Sequence, residues 1–132
     1  MTKLNELYKC NVCGNIVKVV NAGDGTLVCC GQPMVLQKTP TEMNSQGNPT
    51  THQPVIEIKG QKEIHVKIGE EPHPMTKEHY IQWIELSVDG LLYTASLNPW
   101  DKPEATFRIP VGKKIVARAK CNIHGVWKTV LE

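Results

Sequence analysis

Sulfur is distributed unevenly along this 132-residue chain. Cys10, Cys13, Cys29 and Cys30 fall within twenty-one residues near one end, and the fifth cysteine, Cys121, stands alone near the other. A piece of fewer than about 40 residues rarely buries enough apolar surface to fold unaided and usually depends on a metal or on disulfides. Residues 1–38 form such a piece, ending where the chain becomes rich in Thr, Pro, Asn, Ser, Gln and Gly between Lys38 and Thr51. That stretch reads as a linker or exposed loop, residues 39–51. The rest, 52–132, is long enough for a core of its own.

The first cluster reads Cys10-x2-Cys13-x15-Cys29-Cys30. A Cys-x-x-Cys knuckle followed by a second cysteine pair is a metal-binding pattern, because four thiolates complete a tetrahedron. A structural zinc ribbon and two disulfides are the alternatives. Adjacent cysteines point apart on an extended backbone, so both reach one ion only if the chain bends there, and the tetrahedron is then distorted. Distortion gives zinc nothing, whereas it tunes the reduction potential of iron; the spacing leans toward iron. Gly14 and Gly31 follow cysteines, where a small residue lets amide groups turn toward sulfur. Ile16–Val20 and Leu27-Val28 read as short strands around the turn Asn21–Gly25.

Beyond the linker the sequence predicts seven strands: Val55–Lys59, Glu63–Ile68, Tyr80–Val88, Leu91–Leu97, Ala105–Ile109, Lys114–Lys120 and Val126–Leu131. Asp89-Gly90 marks a two-residue hairpin. No stretch holds a helical period, and nine prolines punctuate the loops. The expected fold is all-β, a small metal-bound domain followed by a seven-stranded immunoglobulin-like sandwich.

All five histidines follow position 50. Cys121 and His124 lie three positions apart in a short loop, which is ligand spacing, but two donors make no site. His73 sits between Pro72 and Pro74, His79 precedes a strand, and His52 leaves the linker two residues before Pro54. Each alone reads as a loop histidine. Together with Cys121 and His124 they make four imidazoles and one thiolate, a set that suits a transition metal and leaves a sixth octahedral position for a small molecule. His65 is different: Ile64, Val66 and Ile68 share one strand face, so His65 joins Glu63 and Lys67 on the polar face as a solvated histidine.

Net charge is +2, aromatics are 5%, and no basic tract carries interleaved aromatics, so a nucleic-acid partner has no support. No apolar run approaches the roughly 20 residues needed to span a membrane. Met1–Tyr8 mixes charged and apolar residues and is not a secretory signal. A cytoplasmic protein is expected, where clustered cysteines serve as metal ligands more often than as disulfides.

In order and spacing, these motifs resemble the desulfoferrodoxins, the two-iron class of superoxide reductases. The resemblance runs through Tyr8-Lys9-Cys10-x2-Cys13-Gly14-Asn15, Val28-Cys29-Cys30-Gly31-x-Pro33-Met34 and His52-x-Pro54-Val55-Ile56-Glu57. It continues through Pro72-His73-Pro74-Met75, His79-Tyr80-Ile81-x-Trp83-Ile84-Glu85 and Cys121-Asn122-x-His124-Gly125-x-Trp127. It implies a desulforedoxin-like domain with Fe(Cys)4 at Cys10, Cys13, Cys29 and Cys30. It also implies a second iron, Fe(His)4Cys, with His52, His73, His79 and His124 equatorial and Cys121 axial. The implied reaction is one-electron reduction of superoxide to hydrogen peroxide. A rubredoxin-type donor and a homodimer come with it. Backbone amides near Asn122 and Ile123 are expected to donate to the Cys121 sulfur and moderate its push on the iron.

The family usually places Glu-Lys just before its first histidine ligand, the lysine attracting superoxide and the glutamate able to fill the open position. Here Thr50 and Thr51 stand there. Lys77, between His73 and His79, is the candidate replacement cation. Competing classes are an electron carrier without superoxide turnover and a metal-stabilised structural or sensing protein.

Overall fold

The computed structural model describes residues 1–37 and 49–131 and resolves the chain into two compact units, Met1–Lys38 and Thr39–Glu132. Most of the predicted linker therefore lies outside the described residues.

The first unit holds five short strands: β1 Leu7–Lys9, β2 Ile16–Lys18, β3 Val28–Cys29, β4 Gln32–Pro33 and β5 Val35–Leu36. β1 pairs with β2 and β5, and β3 with β4, all antiparallel. Leu7, Cys10 and Val19 are its buried apolar residues. So little buried surface cannot offset the entropy of ordering the chain, which leaves the sulfur cluster as the organising feature.

The second unit opens with a single helical turn, α1 Pro49–His52, which no periodicity announces, and continues into β6 Pro54–Ile58 and β7 Ile64–Ile68. Then come β8 Ile81–Val88, β9 Leu91–Ser96, β10 Glu104–Phe107, β11 Ile115–Cys121 and β12 Gly125–Leu131. The expected all-β character is observed. One antiparallel sheet has the order β10-β7-β6 and the other β12-β11-β8-β9. Strand alternation places Ile64, Val66 and Ile68 of β7 in the core with Phe107, Ile84, Leu86, Ile115 and Ala117. His65 lies on the other face, as expected, with its Nδ1 2.8 Å from Thr106 Oγ1. The hairpin at Asp89-Gly90 is also observed, with φ of 48° and 90°, the paired positive values of a type I′ turn.

Two irregularities matter for function. The β11–β8 register shifts between Lys120 and Cys121, so Cys121 pairs with Ile81, and both stay buried. Gly69, at φ +84°, ends β7 against the helical turn: its N–H donates to Gln53 O (3.0 Å), and Glu71 N–H donates to Thr50 O (3.2 Å). A Cβ at Gly69 would meet Glu71 O and would lie 2.7 Å from Thr51 Cα. Gly69→Ala should therefore destabilise the second unit by about 2 kcal/mol, combining left-handed strain with backbone overlap. Denaturant unfolding of the metal-loaded protein checks this; an unchanged midpoint refutes it.

Candidate metal centres

The N-terminal cluster is built by two bends. After β1, the chain turns through Cys10–Gly14; Gly14 N–H donates to Cys10 O (2.9 Å), and Gly14 adopts φ 85°. Between β3 and β4, Cys30 and Gly31 take φ of 53° and 74°. Cys30 is not a glycine, and its left-handed conformation is the bend that adjacent cysteines need to face one point. All five cysteines are free, which removes the disulfide alternative. Sγ of Cys13 lies 3.6 Å from that of Cys29, and Sγ of Cys29 lies 3.9 Å from that of Cys30. A tetrahedron with metal–sulfur bonds of about 2.3 Å has edges of about 3.8 Å.

The protonation pattern points the same way. The amide of Cys13, with that of Val12, lowers the Cys10 pKa to about 6. Cys29 is pushed up to about 12, first by its hydrogen bond with Cys13 and then by that with Cys10. Cys30 is also raised, chiefly by Cys13. One thiolate suppresses its neighbours, so all four ionise together only around a cation.

The second centre gathers at one end of the two sheets. His52 comes from the helical turn, His73 and His79 from the chain between β7 and β8, Cys121 from the end of β11, and His124 from the β11–β12 hairpin. The four rings form a square. Centroids around its perimeter are 4.5 Å (His52–His73), 4.7 Å (His73–His79), 5.0 Å (His79–His124) and 4.8 Å (His124–His52). The His52–His79 diagonal is 6.1 Å. Neighbouring rings stand at 76–84° to each other, so each presents an edge to the next.

The donor atoms converge. His52 Nε2 lies 2.9 Å from His124 Nδ1 and 3.1 Å from His73 Nε2. Four nitrogens about 2.1 Å from a central ion would be about 3.0 Å apart along each side. Cys121 Sγ, fully buried, sits 3.8 Å from His124 Nδ1. Donors of His52, His79, Cys121 and His124 all lie within 4.8 Å of one another, and His73 joins through its contact with His52. His79 Nε2 is buried with no hydrogen-bond partner, a costly arrangement for a polar atom unless an ion occupies the centre. These residues fit a metal.

Outer contacts set the tautomers. His73 Nδ1–H donates to Pro74 O at 2.6 Å, which leaves the Nε2 lone pair facing inward. Thr51 Oγ1 lies 3.0 Å from His52 Nδ1, so this threonine holds a ring in place instead of merely standing where a charge is missing. Trp127 packs its indole 5.1 Å from the His52 ring and donates Nε1–H to His124 O (3.2 Å). Sequence reasoning assigned none of these roles, since a hydroxyl beside a ligand and a carbonyl after one carry no spacing signal. It also placed an amide near Asn122 on the Cys121 sulfur; the Asn122 N–H instead donates to Tyr80 O (3.2 Å), just beyond the last β8–β11 pair, Ile81–Cys121.

A tetrathiolate unit joined to a histidine-and-thiolate unit defines a two-centre metalloprotein. The profile for desulfoferrodoxin matches residues 44–130, and that for the desulfoferrodoxin N-terminal domain matches residues 2–37. The chain is 48% identical over 129 residues to a desulfoferrodoxin homolog of Archaeoglobus fulgidus, covering 98% of this chain and 99% of that one. It is 51% identical over 123 residues to the desulfoferrodoxin of Nitratidesulfovibrio vulgaris, covering 93% and 94%. The crystal structure of the superoxide reductase from Treponema pallidum superposes with a TM-score of 0.70 at 29% identity, covering 94% of this chain and 98% of that chain. The chain belongs to the desulfoferrodoxin family, and its two donor sets match that family's two iron centres.

Burial lowers the His73 pKa from 6.5 to about 4; Pro74 O opposes the shift, and the neighbouring histidines reinforce it. His79 is lowered too, by burial first and then by His124. In the metal-free protein the unfolded chain therefore binds more protons between these values. The His73 contribution to stability is present above about pH 6.5 and is lost as pH falls toward about 4. Thermal melts of chelated protein should show Tm falling through that window and a shallower fall in His73→Gln. A flat Tm would contradict this.

Proposed function

We propose that this protein is a superoxide reductase, converting superoxide to hydrogen peroxide with one electron and two protons. The observation that carries the reading is the square of four imidazoles, each perpendicular to its neighbours, beside the fully buried sulfur of Cys121, with His79 Nε2 unsatisfied. The likeness to a solved superoxide reductase supports it. His52, His73, His79, His124 and Cys121 would hold the ion. Iron held there would supply one-electron redox chemistry toward a small anion.

The chain's own contribution follows from charge. Imidazole ligands bind a metal in the neutral form and a cysteine as thiolate, so four histidines and Cys121 would bring one negative charge against a divalent ion. The net positive centre attracts a small anion. Thr50 and Thr51 offer neither a cation nor a carboxylate, so protons reach the substrate from solvent or from another loop. Lys77, exposed between His73 and His79, is the cation proposed to assist capture.

Residues 1–38 act as the Fe(Cys)4 domain, 39–51 as the linker and 52–132 as the catalytic domain. A rubredoxin-type carrier supplies the electron, and the protein works as a cytoplasmic homodimer. Among the described residues no helix is long and apolar enough to cross a membrane.

Pulse-radiolytic superoxide mixed with the reduced two-iron protein should give peroxide without oxygen release. Oxygen evolution would identify a dismutase, and no reaction would leave an electron carrier. In the same assay, Lys77→Ala should lower the second-order rate several-fold and flatten its salt dependence. If both are unchanged, Lys77 plays no part in capture.

A further inference from the structure

We propose that Asn122 is a positioning residue that fixes His79 against the Cys121–His124 loop. The β8–β11 ladder ends at the pair Ile81–Cys121, one residue short of Tyr80 and two short of His79. Beyond that point Asn122 takes over with three hydrogen bonds. Its backbone N–H donates to Tyr80 O at 3.2 Å. Its side-chain Oδ1 accepts from Tyr80 N–H at 2.9 Å, and its Nδ2–H donates to Glu78 O at 2.9 Å. The carboxamide thus grips the backbone on both sides of His79.

The other flank of His79 is held from within its own loop. Thr76 Oγ1 accepts from His79 N–H (3.1 Å), and Thr76 N–H donates to His79 O (2.9 Å). The backbone of His79 is therefore fixed by Thr76 on one side and by its neighbours' bonds to Asn122 on the other. What stays unsatisfied is Nε2, buried and facing the other donors. The hairpin that supplies Asn122 also supplies Cys121 and His124. One carboxamide therefore ties three of the five donors into a single geometry.

The requirement is specific to asparagine. Both ends of the amide are used, one as acceptor and one as donor. Aspartate keeps the bond from Tyr80 N–H but sets a carboxylate oxygen against Glu78 O. Alanine loses both side-chain bonds. Glutamine is one methylene too long to close on the same two groups without moving the loop.

The proposal rests on the metal reading of this centre but not on superoxide turnover, so the test reads metal binding. Asn122→Asp and Asn122→Ala are compared with the unsubstituted two-iron protein by chelator competition and by the thiolate-to-metal charge-transfer band of the oxidised protein. Asn122→Asp should weaken iron retention at this centre by about 10-fold and Asn122→Ala by up to about 100-fold, the range for outer-shell partners of metal ligands. Both should shift the charge-transfer band while the Fe(Cys)4 spectrum stays unchanged. Unaltered affinity and band in Asn122→Asp, which is isosteric and keeps one bond, would overturn the proposal even if Asn122→Ala failed to fold. A loss of metal-free stability with an unmoved band would overturn it as well, since that is the mark of an ordinary turn residue. Absence of the band in the unsubstituted protein would instead refute the assignment of the centre.

Discussion

Lone pairs that point at one another repel, and both centres of this chain are built from little else. The four sulfurs of one cluster lie within 4.8 Å of one another, with Cys13, Cys29 and Cys30 at 3.6–3.9 Å along two edges, and imidazole nitrogens approach to 2.9–3.1 Å in the other. Without a cation each cluster would hold protons where ligands should be, or splay apart. In the first cluster the amide of Cys13 lowers the Cys10 thiol, while hydrogen bonds from Cys13 raise Cys29 and Cys30, so the four do not share one ionisation state without a positive charge. The remaining features of the two units can be understood as ways of holding donors where they would not gather unaided.

In the second unit, the means are those of an antiparallel fold. The starts of β6, β8 and β12 and the ends of β7 and β11 lie at one end of their sheets, so the segments that meet there come from distant parts of the sequence. Cys121 follows Ile115, Ala117 and Ala119 on the buried face of β11, and the register shift, which skips Gln82 of β8, sets buried Ile81 opposite it. Gly69 lets the β7 end lie close to the turn that carries His52.

Much of this was legible in the sequence. Period-two alternation located the strands of the second unit to within a residue or two, because one face of each is buried in a shared core. Cysteine spacing identified the first centre, and the resemblance gathered the histidines of the second. The strands of the first unit were harder to see: β3, β4 and β5 are two residues each, too short for any period, and depend on the sulfur cluster around them. The helical turn before β6 is a single turn and shows no amphipathic stripe. The bonds that aim the rings were invisible for another reason. Pro74 acts through its carbonyl, which every residue has, and Thr51 and Asn122 are ordinary turn and cap residues until their neighbours across the fold are known.

Sequence separation within the centres sets them apart in time. The four cysteines of the first span twenty-one residues, so they can meet through local chain closure early in folding. The donors of the second run from His52 to His124, and Cys121 reaches its place only once β11 has paired with β8. That pairing is non-local and slow to form. Metal can therefore organise the first unit as it folds, whereas the second must be largely folded before its ion can enter. Each iron is thus acquired under a different regime, one as a nucleus for folding and the other as a ligand for a finished cage.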